Sequence, residues 1–225
     1  MLILGMDTTG NSLSVGLYKD GKPAGEIFIN DTKKHSETLL PAINSLLDIS
    51  SYDISDVDVF AVSIGPGSFT GIRIGAACAT GLAQAQNKKV AQVDTLRALC
   101  ANLCCDGIIC AIMDARRNEV YASAYKNGEM IIKPCALPIE ELLLKLGDGE
   151  VTFVGDGVDV YKDIIKEKNN KAVFAPVNRR YQRGLSICAI ADEMAQKGQL
   201  SSFEEVSPVY LRVSQAERMR KESGN

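Results

Sequence analysis

Hydrophobic and polar positions alternate first at the spacing of strands. An apolar run covers residues 2–7, small or polar residues alternate with apolar ones over residues 12–18, and a third apolar stretch lies at residues 26–29. Such short segments bounded by turn residues are typical of β-strands. The first 30 residues therefore predict three strands in an antiparallel meander.

The pattern then changes to helices that alternate with buried strands. The next elements are predicted to be a helix, a strand, a long helix, a short strand and a further helix, over about residues 38–47, 57–64, 70–86, 89–93 and 95–104. Pro41 is compatible with the first of these helices only if it lies in the first turn, where its missing N–H is not needed.

The same order of elements occurs again in the second half. The pattern predicts three strands, a helix, a strand and a helix, over about residues 108–113, 120–125, 130–132, 138–146, 151–154 and 158–168. Two halves with one order of elements imply two α/β lobes, which we predict to cover residues 1–104 and 105–225. A last helix, over about residues 184–197, is a candidate for crossing back to the first lobe.

The composition is that of an ordinary globular protein. Of the 225 residues, 46% are hydrophobic and 24% are charged, and no apolar run approaches the ~18–20 residues that a membrane span needs. The first residues lack the basic region that opens a secretory signal. We therefore predict a cytoplasmic protein that does not associate with a membrane.

A single histidine, His35, limits the chemistry that the chain can carry. A metal site built on two histidines cannot form, and a catalytic dyad that uses histidine would have to use this one. The seven cysteines include no Cys-x-x-Cys pair, which favours reduced thiols in the core over a zinc site. Most hydrolase mechanisms are therefore disfavoured.

The charge balance argues against nucleic-acid binding by the chain alone. The net charge is −3, and neutralising phosphates requires a concentrated basic surface. Basic residues do gather late in the chain, where we predict a solvated face: Arg179, Arg180, Arg183, Arg212, Arg218, Arg220 and Lys221.

Asp7, Thr8 and Thr9 directly follow the first predicted strand. Their hydroxyls and backbone amides could face a phosphate, while the carboxylate held a metal-bound water. An Asp-Thr turn that closes a hairpin is the structural alternative. The residues alone do not decide between a phosphate-binding turn and a structural turn.

A second loop, residues 65–71, contains glycines and a proline that let its backbone pass close to another group. Ser68 or Thr70 can cap the helix that follows. One face of that helix is almost free of side chains, because small residues recur every four positions: Gly71, Gly75, Ala79 and Ala83. Either a partner helix or the chain's own sheet could approach this face closely.

Two further segments combine charged and polar groups. His35, Ser36 and Glu37 stand before the first predicted helix, where general-base catalysis and a capping arrangement both fit. The apolar stripe of that helix fits either the core or a partner. The polar turn over residues 114–121 suits either salt bridging or an anion.

Taken together, these segments resemble the bacterial TsaB family, also called YeaZ. The resemblance rests on Asp7-Thr8-Thr9, His35-Ser36-Glu37 with Leu39-Leu40-Pro41, Gly65-Pro66-Gly67-Ser68-Phe69-Thr70-Gly71-Ile72-Arg73-Ile74-Gly75, Asp114-Ala115-Arg116 with Glu119-Val120-Tyr121, and Tyr210-Leu211-Arg212. The long glycine–proline motif is the most specific of these. The resemblance implies an actin-like α/β fold, of the sugar kinase, heat-shock ATPase and actin group, with two duplicated lobes.

The resemblance also implies a function. The family supports formation of N6-threonylcarbamoyladenosine at position 37 of tRNA, where the related subunit TsaD binds a metal through two histidines and transfers the threonylcarbamoyl group. TsaE, a P-loop ATPase, assists. This chain is then expected to be a non-catalytic activator of TsaD that reaches tRNA only through the complex and forms a homodimer when alone. No cofactor is expected to be required, although ATP or ADP could bind at the complex interface.

The resemblance further places the first two long helices at the interface with TsaD. The residues predicted to make the contact are Leu39, Ile43, Leu46, Leu47, Gly71, Gly75 and Ala79. An alternative function is a stand-alone ATP-dependent phosphotransferase, because the same fold group contains sugar and acyl kinases and the Asp-Thr-Thr turn could hold a phosphate. A peptidase is disfavoured by the single histidine.

Overall fold

The computed structural model describes residues 1–30 and 34–212. Within them lie ten strands, β1 to β10: Leu2–Asp7, Leu13–Lys19, Lys22–Ile29, Val59–Gly65, Lys89–Asp94, Ile108–Asp114, Glu119–Lys126, Glu129–Pro138, Val151–Val154 and Val173–Phe174. The α-helices of the same residues, α1 to α7, are His35–Ile49, Phe69–Gln86, Thr95–Cys100, Ile139–Leu146, Gly157–Lys168, Val177–Arg180 and Gly184–Gln196.

The strands form two sheets with one topology. The first sheet has the order β3-β2-β1-β4-β5 and the second the order β8-β7-β6-β9-β10. Strand β1 is antiparallel to β2 and parallel to β4, and in the same way β6 is antiparallel to β7 and parallel to β9. The predicted fold, two duplicated α/β lobes, is confirmed. The boundary between residues 104 and 105 stays a prediction.

Helices cover both faces of each sheet, and two of them are exchanged between the halves. The first sheet has α1 and α2 on one face, while α7 packs on the other through Ile187, Cys188 and Ala191. The second sheet packs α4 and α5 on one face. Its other face packs against α3, although α3 follows the last strand of the first sheet in the chain. Leu96 and Leu99 of α3 share a buried cluster with residues of the second sheet. Each half therefore stabilises the other.

Helix α1 differs from its prediction in one respect. It begins at His35, so Pro41 lies in the second turn rather than in the first. Pro41 is exposed, and a carbonyl that loses its helical hydrogen bond at such a position can bond to water instead. Helix α3 also ends at Cys100, four residues earlier than predicted.

Two of the cysteines and two of the late arginines are placed differently from their predictions, while Cys100, Cys110 and Cys188 are buried thiols as predicted. Cys104 and Cys105 are exposed rather than in the core. Arg180 and Arg183 are not on a solvated face, because they form ion pairs with Asp159 and Glu26. The pair with Glu26 joins α7's N-cap residue to β3.

The remaining late basic residues fall into two groups. Arg179 is exposed, in agreement with its prediction, whereas Arg212 is paired with Glu119. Arg218, Arg220 and Lys221 lie outside the described residues.

In the part of the chain that the structure describes, no helix has the length and apolar character of a membrane span.

Candidate functional site

Two loops cross at the carboxyl ends of β1 and β4, which are parallel neighbours. Asp7 ends β1 and is fully buried. Its Oδ1 accepts hydrogen bonds from the backbone N–H and the hydroxyl of Thr9, each at 2.7 Å, and its Oδ2 accepts one from the Ser63 hydroxyl at 2.5 Å. Burial raises the pKa of Asp7, and these hydrogen bonds, which favour the ionised form, oppose the rise. The carboxylate thus joins its loop to β4.

The two threonines of the same turn are also bonded inside the protein. The Thr8 hydroxyl donates to the carbonyl of Gly71 at 2.7 Å, and both threonines are 1% exposed. A phosphate would have to displace these hydrogen bonds to reach Asp7, Thr8 or Thr9. Their structural role is visible in the geometry, and their phosphate role stays a prediction.

The glycine–proline loop, residues 65–68, packs against this turn at backbone distance. A Cβ on Gly67 would lie 2.5 Å from the carbonyl oxygen of Thr9, so a larger residue would not fit there. The Ser68 N–H donates to the same carbonyl at 2.7 Å. The Ser68 hydroxyl accepts from the N–H of Gly71 and caps α2. The group that the loop passes closely is therefore the chain's own Asp-Thr-Thr turn.

The residues predicted to contact a partner are buried in the first lobe: Leu39, Ile43, Leu46, Leu47, Gly71, Gly75 and Ala79. The small face of α2 packs on its own chain, where a Cβ on Gly75 would lie 2.7 Å from the Thr8 hydroxyl oxygen. The residues that α1 and α2 expose are different ones. Leu40 is 49% exposed, and Ala77 and Gly81 lie on the outer face of α2. The interface prediction for the two helices remains a prediction, and these exposed residues would have to carry it.

His35, the first residue of α1, turns toward the Asp-Thr-Thr turn. Its Nε2 lies 2.9 Å from the carbonyl oxygen of Gly10. Its Nδ1 is buried and has no hydrogen-bond partner among the described residues. Ser36 and Glu37 are exposed, and Glu37 pairs with Lys34 at 2.9 Å. The three side chains therefore do not meet at one point, and among the described residues no side-chain hydrogen bond at the N-cap position caps α1.

The turn after β6 is the counterpart of the Asp-Thr-Thr turn in the second lobe. Asp114 ends β6, and its Oδ1 accepts from the Arg116 N–H at 2.8 Å and from the Tyr161 hydroxyl at 3.1 Å. The Arg116 guanidinium lies 3.4 Å from Asp114 and is 81% exposed. Arg116, Arg117 and Asn118 all have a positive φ. Of the two alternatives, salt bridging is present here, and anion binding stays a prediction.

Asp156 stands behind this turn and was not singled out by its sequence pattern. It precedes α5, as the glycine–proline loop precedes α2 in the first lobe. Burial raises the pKa of Asp156 to about 7, and the carboxylates of Asp114 and Asp159 add to the rise. Among the described residues its Oδ1 has no hydrogen-bond partner. The Gly-Asp-Gly sequence at the repeated position was the signal that could have pointed to it.

Tyr210, close to the end of the described residues, lies on α2. Tyr210 stacks on Phe69, with ring centroids 4.6 Å apart and 6° between the planes. The Arg73 Nε donates to the Tyr210 hydroxyl at 3.0 Å. Two residues of the glycine–proline motif thus contact the Tyr-Leu-Arg motif, while Thr70 is exposed and Pro66 buried.

Known proteins resemble this chain over most of its length. Residues 25–218 match the family model described as "TsaD: tRNA N6-adenosine threonylcarbamoyltransferase". The tRNA threonylcarbamoyladenosine biosynthesis protein TsaB of Bacillus subtilis is 30% identical over 224 residues, which are 96% of this chain and 96% of that protein.

Solved structures show the same similarity. A Pseudomonas aeruginosa protein, described as similar to peptidase YeaZ, superposes with a TM-score of 0.80 and 27% identity over 94% of this chain and 99% of its own. The (R)-2-hydroxyglutaryl-CoA dehydratase component A of Acidaminococcus fermentans has a TM-score of 0.55 and 11% identity over 87% of this chain and 99% of its own. The second likeness is one of fold alone, and that fold is the actin-like one.

Proposed function

The chain belongs to the TsaB family, and on that premise we propose that it is a non-catalytic subunit that activates TsaD. With TsaE, TsaD would transfer a threonylcarbamoyl group to adenosine 37 of tRNA, in the cytoplasm. The observation that carries the proposal is the similarity over 96% of the chain to a protein named for threonylcarbamoyladenosine biosynthesis. The single histidine supports the accessory role, because its Nε2 is bonded to Gly10 and the catalytic subunit of the family uses two histidines.

The exposed side of α1 and α2 is the proposed contact with TsaD. Because the chain matches the TsaD family model over residues 25–218, TsaD would present the equivalent two helices, and the two proteins could pair about a pseudo-twofold axis. Ala77 and Gly81 are four residues apart on one exposed face. A Cβ on Gly81 would meet nothing within 4 Å, which leaves room for a partner helix. Leu40 adds apolar area on α1.

The phosphotransferase alternative gains no specific support from the site. The side chains of Asp7, Thr8 and Thr9 are buried and bonded to one another and to their neighbours. The proposed function requires no cofactor on this chain, and ATP or ADP at the interface with TsaD remains a prediction.

The decisive experiment is a reconstitution. Unmodified tRNA is supplied with threonylcarbamoyl adenylate, TsaD and TsaE, with and without this protein, and the modified nucleoside is measured. We expect product only when the protein is present and none from the protein alone. Equal product without it would remove the proposed function and leave the fold unaffected.

The contact is tested by changing Ala77 to arginine. The new side chain would occupy the exposed face of α2 without entering the core, so the protein should stay folded while the rate of product formation falls at least about tenfold. The matched control is Val160→Arg on α5, the equivalent helix of the second lobe, where Val160 is 56% exposed. Equal activity of the two variants would place the TsaD contact elsewhere.

A further inference from the structure

Residues 207–212 form the end of the described chain, and the first of them contact the first lobe. The Ser207 N–H donates to the Gln92 Oε1 on β5 at 2.8 Å, and the Val209 N–H donates to the carbonyl of Ile64 on β4 at 2.8 Å. The Val209 carbonyl lies over Gly65, where a Cβ would be only 2.3 Å from it. The segment therefore lies at the carboxyl ends of β4 and β5.

The middle of the segment is held by side chains. Tyr210 stacks on Phe69 and accepts a hydrogen bond from Arg73, as described above. Both partners belong to the first two turns of α2. Tyr210 nevertheless remains 38% exposed, so the stack is a surface contact rather than part of the core.

The end of the segment reaches the second lobe. Leu211 packs against the buried cluster that contains Met113 and Val154. The Arg212 guanidinium donates to the carbonyl of Ala115 and forms an ion pair with Glu119, and its side chain is 14% exposed. Six extended residues span at most about 20 Å, so a single short segment joins the loop after β4 to the turn after β6.

The segment is attached in a way that allows release. Residues 206–210 lie in neither a helix nor a strand, and residues 211 and 212 form only a bend. The first-lobe contacts are made by the half-exposed Tyr210 and by single hydrogen bonds from backbone amides, and contacts of this kind lie at the low end of local stability. The lobes are also joined through α3 and α7, so the fold does not depend on the segment.

We propose that residues 207–212 form a releasable strap between the lobes. While bound, the strap couples the glycine–proline loop of the first lobe to the turn after β6 in the second. When released, it uncovers Phe69 and Gly65, while α3 and α7 still join the lobes. This inference is independent of the proposed partner, since every group that it uses belongs to this chain.

Hydrogen exchange of the full chain tests the strap by its cross-lobe effect. Arg212→Ala removes the contacts with Ala115 and Glu119 in the second lobe, yet it should speed exchange of the Val209 amide, which is bonded to Ile64 in the first lobe, at least about fivefold. Tyr210→Ala removes contacts only in the first lobe and should speed exchange of the Ala115 and Glu119 amides, which are bonded within the second-lobe turn. The amides of β1 and β6 should stay protected in both variants.

Two further variants serve as a control and as a milder replacement for Tyr210→Ala. Lys126→Ala removes an exposed positive charge at the far end of β7 and should leave all of these amides unchanged. Tyr210→Phe removes only the hydroxyl that Arg73 bonds to, so it supplies the first-lobe perturbation should the alanine variant not fold. Faster exchange confined to the lobe that each variant touches would overturn the strap and leave two separate local contacts.

Discussion

Replacing Gly71 by alanine should lower the free energy of unfolding by about 3 kcal/mol or more, whereas the same replacement at Gly81 in the same helix should raise it. A Cβ on Gly71 would lie 1.9 Å from the carbonyl oxygen of Thr8. The backbone of the Asp-Thr-Thr turn would have to move, at the cost typical of overpacking a rigid site. The Thr8 hydroxyl would also lose its bond to the Gly71 carbonyl.

Gly81 is the matched control because its position is open. Nothing lies within 4 Å of a Cβ built there, so alanine should add roughly 0.5–1 kcal/mol through helix propensity alone. Urea unfolding of the two variants, followed by circular dichroism, measures the contrast. Changes of the same sign and size would show that α2 does not pack on the turn as described.

Replacing Asp156 by asparagine should stabilise the protein at alkaline pH. Burial raises the pKa of Asp156 to about 7, while an unfolded chain holds the proton only below about pH 4. The folded state therefore binds the proton more tightly than the unfolded state. The resulting contribution of Asp156 to the free energy of unfolding is fully present below about pH 4 and is lost as the pH rises from about 4 to about 7. Asparagine resembles the protonated acid at every pH, so the variant avoids this loss.

The expected gain at pH 8 is on the order of 2–4 kcal/mol, and it should shrink toward zero near pH 4. Thermal or urea unfolding at several pH values gives the difference between the variant and the parent protein. Asp7 and Asp94 also have raised pKa values, but they act equally in both proteins. Asp163→Asn, at an exposed position of α5, is the control. A difference that does not grow with pH would mean that ionised Asp156 carries no penalty.

Prediction from the sequence succeeded for the elements and was less informative for the site. Most strands and helices were placed to within a few residues because their spacing and turn residues are local properties of the chain. The exceptions are β8, which continues to Pro138, and β10 and α6, which were not predicted. Asp7, Thr8 and Thr9 were singled out for a phosphate, and the structure shows their side chains bonded inside the protein. Sequence pattern identifies which polar groups share a turn, and it does not show which acceptors lie opposite them.

The apolar stripe of α1 and the small face of α2 illustrate the same limit. Helical periodicity shows that these faces are buried, and it is silent on whether the covering surface belongs to the same chain. The packing of Gly75 on Thr8 decides this for α2. Ala77 and Gly81, which no periodicity singled out, are exposed on α2 and are the positions that we propose for a partner.

The sequence by itself determined the order of elements, their duplication and the family, because periodicity, turn residues and the glycine–proline motif are contiguous in the chain. Only the tertiary structure decided the contacts made across long separations. Arg73 and Tyr210 are 137 positions apart, and Ser12 and Gln182 are 170 apart. Such contacts follow from how α3 and α7 are exchanged between the lobes and from the packing of Tyr210 on α2. These pairings depend on the folding of the whole chain, so no local pattern of residues records them.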